Sequence, residues 1–108
     1  MQWLQLNRED QLPEILSLSN KKTQVLFKHS TRCNISSIAQ SRLQKLEGGL
    51  DADFYYLDLI SYRSVSNKVA ETFKVHHESP QILIIKNGEC VYTENHLAIT
   101  VDELKEQL

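Results

Sequence analysis

The chain has 108 residues, 41% of them hydrophobic and 24% charged, with a formal net charge of −2. One domain covering residues 1–108 with an ordinary core is expected, since a chain of this size buries roughly two-thirds of its unfolded surface. Three Gly and two Pro exclude a disordered or collagen-like chain. The charge balance excludes a strongly basic nucleic-acid binder, and the longest aliphatic run, Ile82–Ile85, is too short to span a membrane. The start MQWLQLNRED has no basic or apolar stretch of the kind that directs secretion. Two cysteines do not make a disulfide scaffold, and a reducing cytoplasm is the expected address.

In chain order, Trp3–Leu6 reads as a short edge strand. A helix follows from near Asp10 to about Ser19, with Pro13 confined to its first turn because it lacks an N–H. Thr23–Lys28 is a strand, and His29–Arg32 is a polar loop. Ile35, Ile38, Ala39, Leu43 and Leu46 trace one face of a second helix that stops at Gly48-Gly49. Asp53–Leu59 is a third strand. Tyr62, Val65, Val69 and Phe73 have the spacing of a third helix, for which Ser61 or Ser64 is the expected cap. Gln81–Lys86 and Glu89–Thr93 are two strands joined by Asn87-Gly88, a strong hairpin-turn signal. Thr100 and Glu103 form a capping box ahead of a closing helix on Val101, Leu104 and Leu108.

The order is β-α-β-α-β-α-β-β-α. Helical crossovers make the first three strands parallel, and the hairpin makes the last two antiparallel. An α/β fold with a mixed central sheet flanked by helices in this order is the thioredoxin-like arrangement.

Charge is unevenly placed within that frame. No acid lies between Glu14 and Glu47, whereas Lys21, Lys22, Lys28, Arg32, Arg42 and Lys45 all do, and so does Cys33. Cys33 follows the second strand and opens the second helix. The helix dipole and the unpaired N–H groups of a first turn favour a thiolate there, and Lys28, His29 and Arg32 add positive charge. Thiolate is the form that attacks disulfides. The position three residues on, where a dithiol redox protein carries its second cysteine, is Ser36, so the available chemistry is monothiol. Ser79-Pro80 stands where thioredoxin-like proteins open a strand with a cis proline beside the reactive cysteine.

The segment from Lys28 through His29, Ser30, Thr31, Arg32, Cys33, Asn34, Ile35 and Ser36 to Ser37, with Glu78-Ser79-Pro80-Gln81 later, resembles the monothiol bacilliredoxin family. The similarity runs from the first helix to the last strand. It implies a thiol–disulfide oxidoreductase in which Cys33 removes bacillithiol from S-bacillithiolated proteins and Pro80 is the partner-binding cis proline. It implies no tightly bound cofactor, with the small thiol serving as co-substrate. The family commonly has a proline directly after the cysteine, where this chain has Asn34. Proline is tolerated at a helix start, so Asn34 leaves the fold unaffected and bears on reactivity. Bacillithiol carries carboxylates, and Lys28, His29, Arg32, Asn34 and Ser79 are the candidates for contacting it or the partner protein. His76 and His77 read as solvated loop residues.

Three other readings compete. Geometry disfavours a Cys33–Cys90 disulfide. Cys90 falls opposite about Ile85, of order 15 Å from the edge that holds Cys33, against the ~5.5–6 Å Cα spacing a disulfide requires. The four histidines lack metal-ligand spacing, so no metal site is expected. A redox-silent module that only binds partner proteins is the alternative of a different class, because one fold hosts many functions.

Overall fold

The computed structural model describes residues 2–108. Its elements are β1 (Leu4–Gln5), α1 (Gln11–Leu18), β2 (Thr23–His29), α2 (Asn34–Leu43), β3 (Ala52–Asp58), α3 (Arg63–Phe73), β4 (Gln81–Lys86), β5 (Glu89–Asn95) and α4 (Val101–Gln107), with a 3₁₀ turn at His96–Ala98. The five strands form one sheet in the order β1-β3-β2-β4-β5. β1 and β2 both run parallel to β3, while β4 is antiparallel to β2 and β5 to β4. This is the expected thioredoxin-like arrangement.

Alternation along the central strands divides the core in two. Leu26, Leu57, Leu83 and Ile85 face α1 and α3, where Leu12, Ile15, Val65, Val69 and Phe73 pack against them. Val25, Phe27, Ile82 and Ile84 face the other way, onto Ala39, Leu43 and Leu104 of α2 and α4. All four residues of Ile82–Ile85 are therefore buried, as befits a strand covered on both faces.

Three details differ from expectation. Ile35 and Ile38 are 39% and 45% exposed, and the inward stripe of α2 is Ser36, Ala39 and Leu43 instead. α2 also ends at Leu43 rather than at the glycine pair. Neither Ser61 nor Ser64 caps α3. Tyr62 is its N-cap residue, and the Asp58 carboxylate organises the approach by accepting from the N–H groups of Ile60 and Ser61 and from the Ser61 hydroxyl.

The hairpin turn has positive φ at both central residues, 51° at Asn87 and 78° at Gly88, which matches the right-handed twist of the flanking strands. Ser19 at the end of α1 fixes this turn, its carbonyl accepting from Asn87 N and its hydroxyl from Gly88 N. Space around Gly88 is open, so only its backbone conformation resists a side chain. Gly88→Ala should lower the unfolding free energy by about 1 kcal/mol in urea titration. The turn lies at the far end of β4 from Cys33, so thiol reactivity should be unchanged.

Candidate functional site

β2 and β3 run in parallel and end side by side, with His29 opposite Asp58 in the register. β4 starts at this edge, since Lys28 pairs with Gln81. Continuing the same antiparallel register sets Pro80 opposite His29. The Ser79-Pro80 peptide bond is cis.

Beyond His29 the chain turns tightly, and Cys33 N–H donates to the Ser30 carbonyl at 3.2 Å. Cys33 is the N-cap residue of α2, with extended backbone angles (φ −113°, ψ 123°), and its carbonyl accepts the first helical bond from Ser37 N. The Cys33 side chain does not cap the helix; its thiol is free and partly exposed. The first turn of α2 thus presents unpaired N–H groups beside a free sulfur.

Ser36 lies one turn inward, with 0% exposure. Its Oγ accepts from Ser30 N–H at 2.9 Å and sits 2.7 Å from His29 Nδ1. The direction of this second bond follows the His29 tautomer: the hydroxyl donates to a bare Nδ1 and accepts from a protonated one. The His29 ring packs on Phe27 and Tyr56, with centroids 5.7 and 5.6 Å away. Burial pushes the His29 imidazole below the usual histidine range, and Asp58 works in the opposite direction.

Lys28 points to the other face of β2 and is also 0% exposed. Its ammonium lies 3.2 Å from His77 Nδ1, and the Ser66 hydroxyl is 3.5 Å from the same nitrogen. Desolvation lowers the Lys28 pKa to about 8. Burial, then the charges of Lys28 and Arg63, push the His77 imidazole down as well.

These placements correct the expected ring of positive charge. Lys28 and His29 are held inside by their partners, because successive residues of a strand covered on both faces have nowhere else to point. The reading of the histidine pair as solvated holds for His76, whereas His77 turns inward to Lys28. Arg32 and Asn34 are exposed on either side of Cys33, and Ser79 is half-buried with its hydroxyl unpaired. The additional exposed cation at this edge is Arg63, the first residue of α3. Strand-to-helix junctions of parallel strands share one sheet edge, and that rule could have found it. Exposed Ile35 and Ile38 extend an apolar surface along α2 from Cys33.

Cys90 stands opposite Ile85, four residues along β4 from the site edge, or of order 13 Å. It is a free thiol that donates to the Tyr92 carbonyl at 3.4 Å, and burial raises its pKa. Among the described residues no group of three His, Cys, Asp or Glu side chains could hold a metal ion. No helix there is long and apolar enough to cross a membrane.

The sequence matches the model of the family described as monothiol bacilliredoxin BrxC over residues 4–104. This chain belongs to that family. A solved structure described as a candidate oxidoreductase with a thioredoxin fold is 33% identical, with a TM-score of 0.84, covering 95% of this chain and 90% of its own. Thioredoxins from Schistosoma mansoni (20% identity, TM-score 0.76, 98% and 92% covered) and Fasciola hepatica (14%, 0.76, 96% and 94%) share the fold. The bacilliredoxin assignment makes the protein a thiol–disulfide oxidoreductase.

The buried Lys28 yields a stability test. Its proton is held less tightly in the folded protein, at about 8, than in an unfolded chain at roughly 10.4. Between these values the unfolded state binds more protons, so the Lys28 contribution to stability rises with pH. Lys28→Met should therefore be more stable than wild type at pH 7, by about 1–3 kcal/mol. That gap should narrow between pH 8 and 10.5 in denaturant titrations.

Proposed function

We propose that Cys33 is the attacking thiol of a monothiol bacilliredoxin that restores S-bacillithiolated proteins. The observation that carries this reading is the free, partly exposed Cys33 sulfur at the N-cap of α2, on the edge where Pro80 meets the end of β2. The Cys33 thiolate attacks the bacillithiol sulfur of the mixed disulfide. A new Cys33–bacillithiol disulfide forms, the old S–S bond breaks, and the protein thiolate leaves and takes a proton from solvent. A second small thiol then attacks the adduct and returns Cys33 to the thiolate. Bacillithiol is a co-substrate in this cycle, and no tightly bound cofactor takes part.

Ser36 supports a monothiol cycle because a hydroxyl is too weak an acid to resolve the adduct. Arg32 and Arg63, with the N–H groups of α2, suit the carboxylates of the small thiol. Asn34 and Ser79 flank the approach to the sulfur, and Ile35 and Ile38 offer apolar surface to a folded substrate protein. Lys28 and His29 act from inside rather than by contact. Residues 1–108 work as one domain, in a cytoplasm whose reduced thiol pool completes the cycle.

Intact mass after exposure to the oxidised disulfides of bacillithiol, glutathione and coenzyme A in parallel tests both chemistry and selectivity. One adduct on Cys33, formed fastest with bacillithiol, is expected, and Cys33→Ser should form none. Equal rates for all three would refute the bacillithiol assignment. No Cys33 adduct with any of them would leave a protein-binding module instead.

A companion variant tests the resolving position. Without added thiol the wild-type adduct should persist. Ser36→Cys should shorten its lifetime at least about tenfold by forming an internal disulfide, since residues at i and i+3 are helical neighbours. An equally long-lived adduct would place Ser36 away from the resolving position.

A further inference from the structure

Lys28 is the buried ionisable group that thiol exchange at Cys33 leaves unexplained. It makes one polar contact, to His77, and the ion pairs among the described residues involve Arg8, Lys22, Lys68 and His96 instead. A buried ammonium without a counter-ion is costly, and an apolar side chain of equal length would fill the same space.

Its position in the fold suggests what offsets that cost. Beside the 3.5 Å contact of the Ser66 hydroxyl with His77 Nδ1, the segment His76–Pro80 has three kinds of anchor. Gln81, at the start of β4, donates its amide to the His76 carbonyl at 3.0 Å. His96 donates its backbone N–H to the Pro80 carbonyl at 3.0 Å, and its ring meets Glu78 at 3.2 Å. The third anchor, Lys28 to His77, is the side-chain link to β2, the strand that leads into Cys33. Three oxygens of this part of the fold, Gln81 Oε1, Ser79 Oγ and Asn95 Oδ1, are buried without partners. Lys28, Gln81 and Asn95 stand in register across β2, β4 and β5, so this row offers few other polar ties between the segment and β2.

We propose that Lys28 is a positioning residue: through His77 its ammonium holds the His76–Pro80 segment at the spacing from Cys33 that a protein disulfide requires, and the hold slackens when the ammonium becomes an amine. This rests on the reading of Cys33 as the attacking thiol. An ammonium has no lone pair, so it must donate, and His77 Nδ1 must accept. A hydrogen bond from a charged donor is roughly twice as strong as a neutral one. Burial sets the Lys28 transition at about pH 8 and keeps His77 a neutral acceptor. The charged and titratable groups facing His77 are Arg63 of α3 and, on its own segment, Glu78 and His76; His96 reaches Glu78 from the 3₁₀ turn. Asp58 lies on the opposite face of the sheet, with His29.

The test compares two rate constants in a Cys90→Ala background. One is for a bacillithiol mixed disulfide on a single-cysteine carrier protein, and the other is for iodoacetamide. Their ratio cancels the ionisation of Cys33 itself and reports how well the site receives a protein. The ratio should fall about fivefold from pH 7 to 9, the difference between a charged and a neutral hydrogen bond. It should be low and flat with pH in Lys28→Met and in His77→Leu. Lys28→Arg should hold the neutral-pH value throughout, and His76→Gln should keep the wild-type step. Should Lys28→Met fail to fold by circular dichroism, His77→Leu decides. A flat wild-type ratio, or a step that persists in His77→Leu, would overturn the role of Lys28. Failure of the wild type to take bacillithiol from the carrier would instead overturn the reading of Cys33.

Discussion

One buried hydroxyl ties the loop that carries Cys33 to the sheet. Ser36 Oγ accepts from Ser30 N–H and is hydrogen-bonded to His29 Nδ1, so the last residue of β2, the turn that follows and the first turn of α2 share one atom. Cys33 lies between the residues so joined, and its own N–H returns to the Ser30 carbonyl. A net contribution of about 1 kcal/mol per bond understates the effect. Removing the oxygen would leave a buried N–H and a buried imidazole nitrogen unpaired, at about 1–3 kcal/mol each. The serine that stands where a dithiol enzyme has its second cysteine is therefore part of the scaffold that aims the first.

The same hydroxyl explains the rotation of α2. A polar side chain can occupy a core position when all its hydrogen bonds are made. With Ser36 pinned inward, Ala39 and Leu43 follow it at helical spacing, and Ile35 and Ile38 turn out beside Cys33. The feature that secures the loop also lays apolar surface next to the sulfur. On the opposite face Lys28 and His77 form a second polar pair at the same edge. Both pairs hold ionisable groups away from water, and burial lowers the pKa of all three.

Much of this was legible in the residues. β4 spans Gln81–Lys86 as its apolar run and following turn indicate, and Thr100 Oγ1 caps α4 by accepting from Glu103 N. Cys33 at a strand-to-helix junction, Ser36 one turn on, and the Ser79-Pro80 bond could be placed because local patterns mark them. The surroundings could not be placed that way. Charge in the sequence suggested that Lys28 and His29 face solvent, yet β2 is covered on both faces, and coverage depends on α2 and α3 rather than on β2. Hydrophobicity likewise put Ile35 and Ile38 inside, because a satisfied buried serine has no signature of its own. The approach of His77 to Lys28 spans 49 positions of sequence and is set by strand order.

The Nδ1 resonance of His29 tests this arrangement most directly. Long-range ¹H–¹⁵N correlation spectra of the imidazole distinguish a protonated from an unprotonated Nδ1. The ring should hold one neutral tautomer at pH 7, with Nδ1 bonded to the Ser36 hydroxyl. Because burial depresses the His29 pKa, that pattern should persist as the pH falls below the usual ~6.5. In Ser36→Ala the Nδ1 resonance should shift as that hydrogen bond is lost. An Nδ1 resonance that is unchanged in Ser36→Ala would mean that the ring and the hydroxyl are not bonded, and would contradict the account of how the Cys33 loop is held.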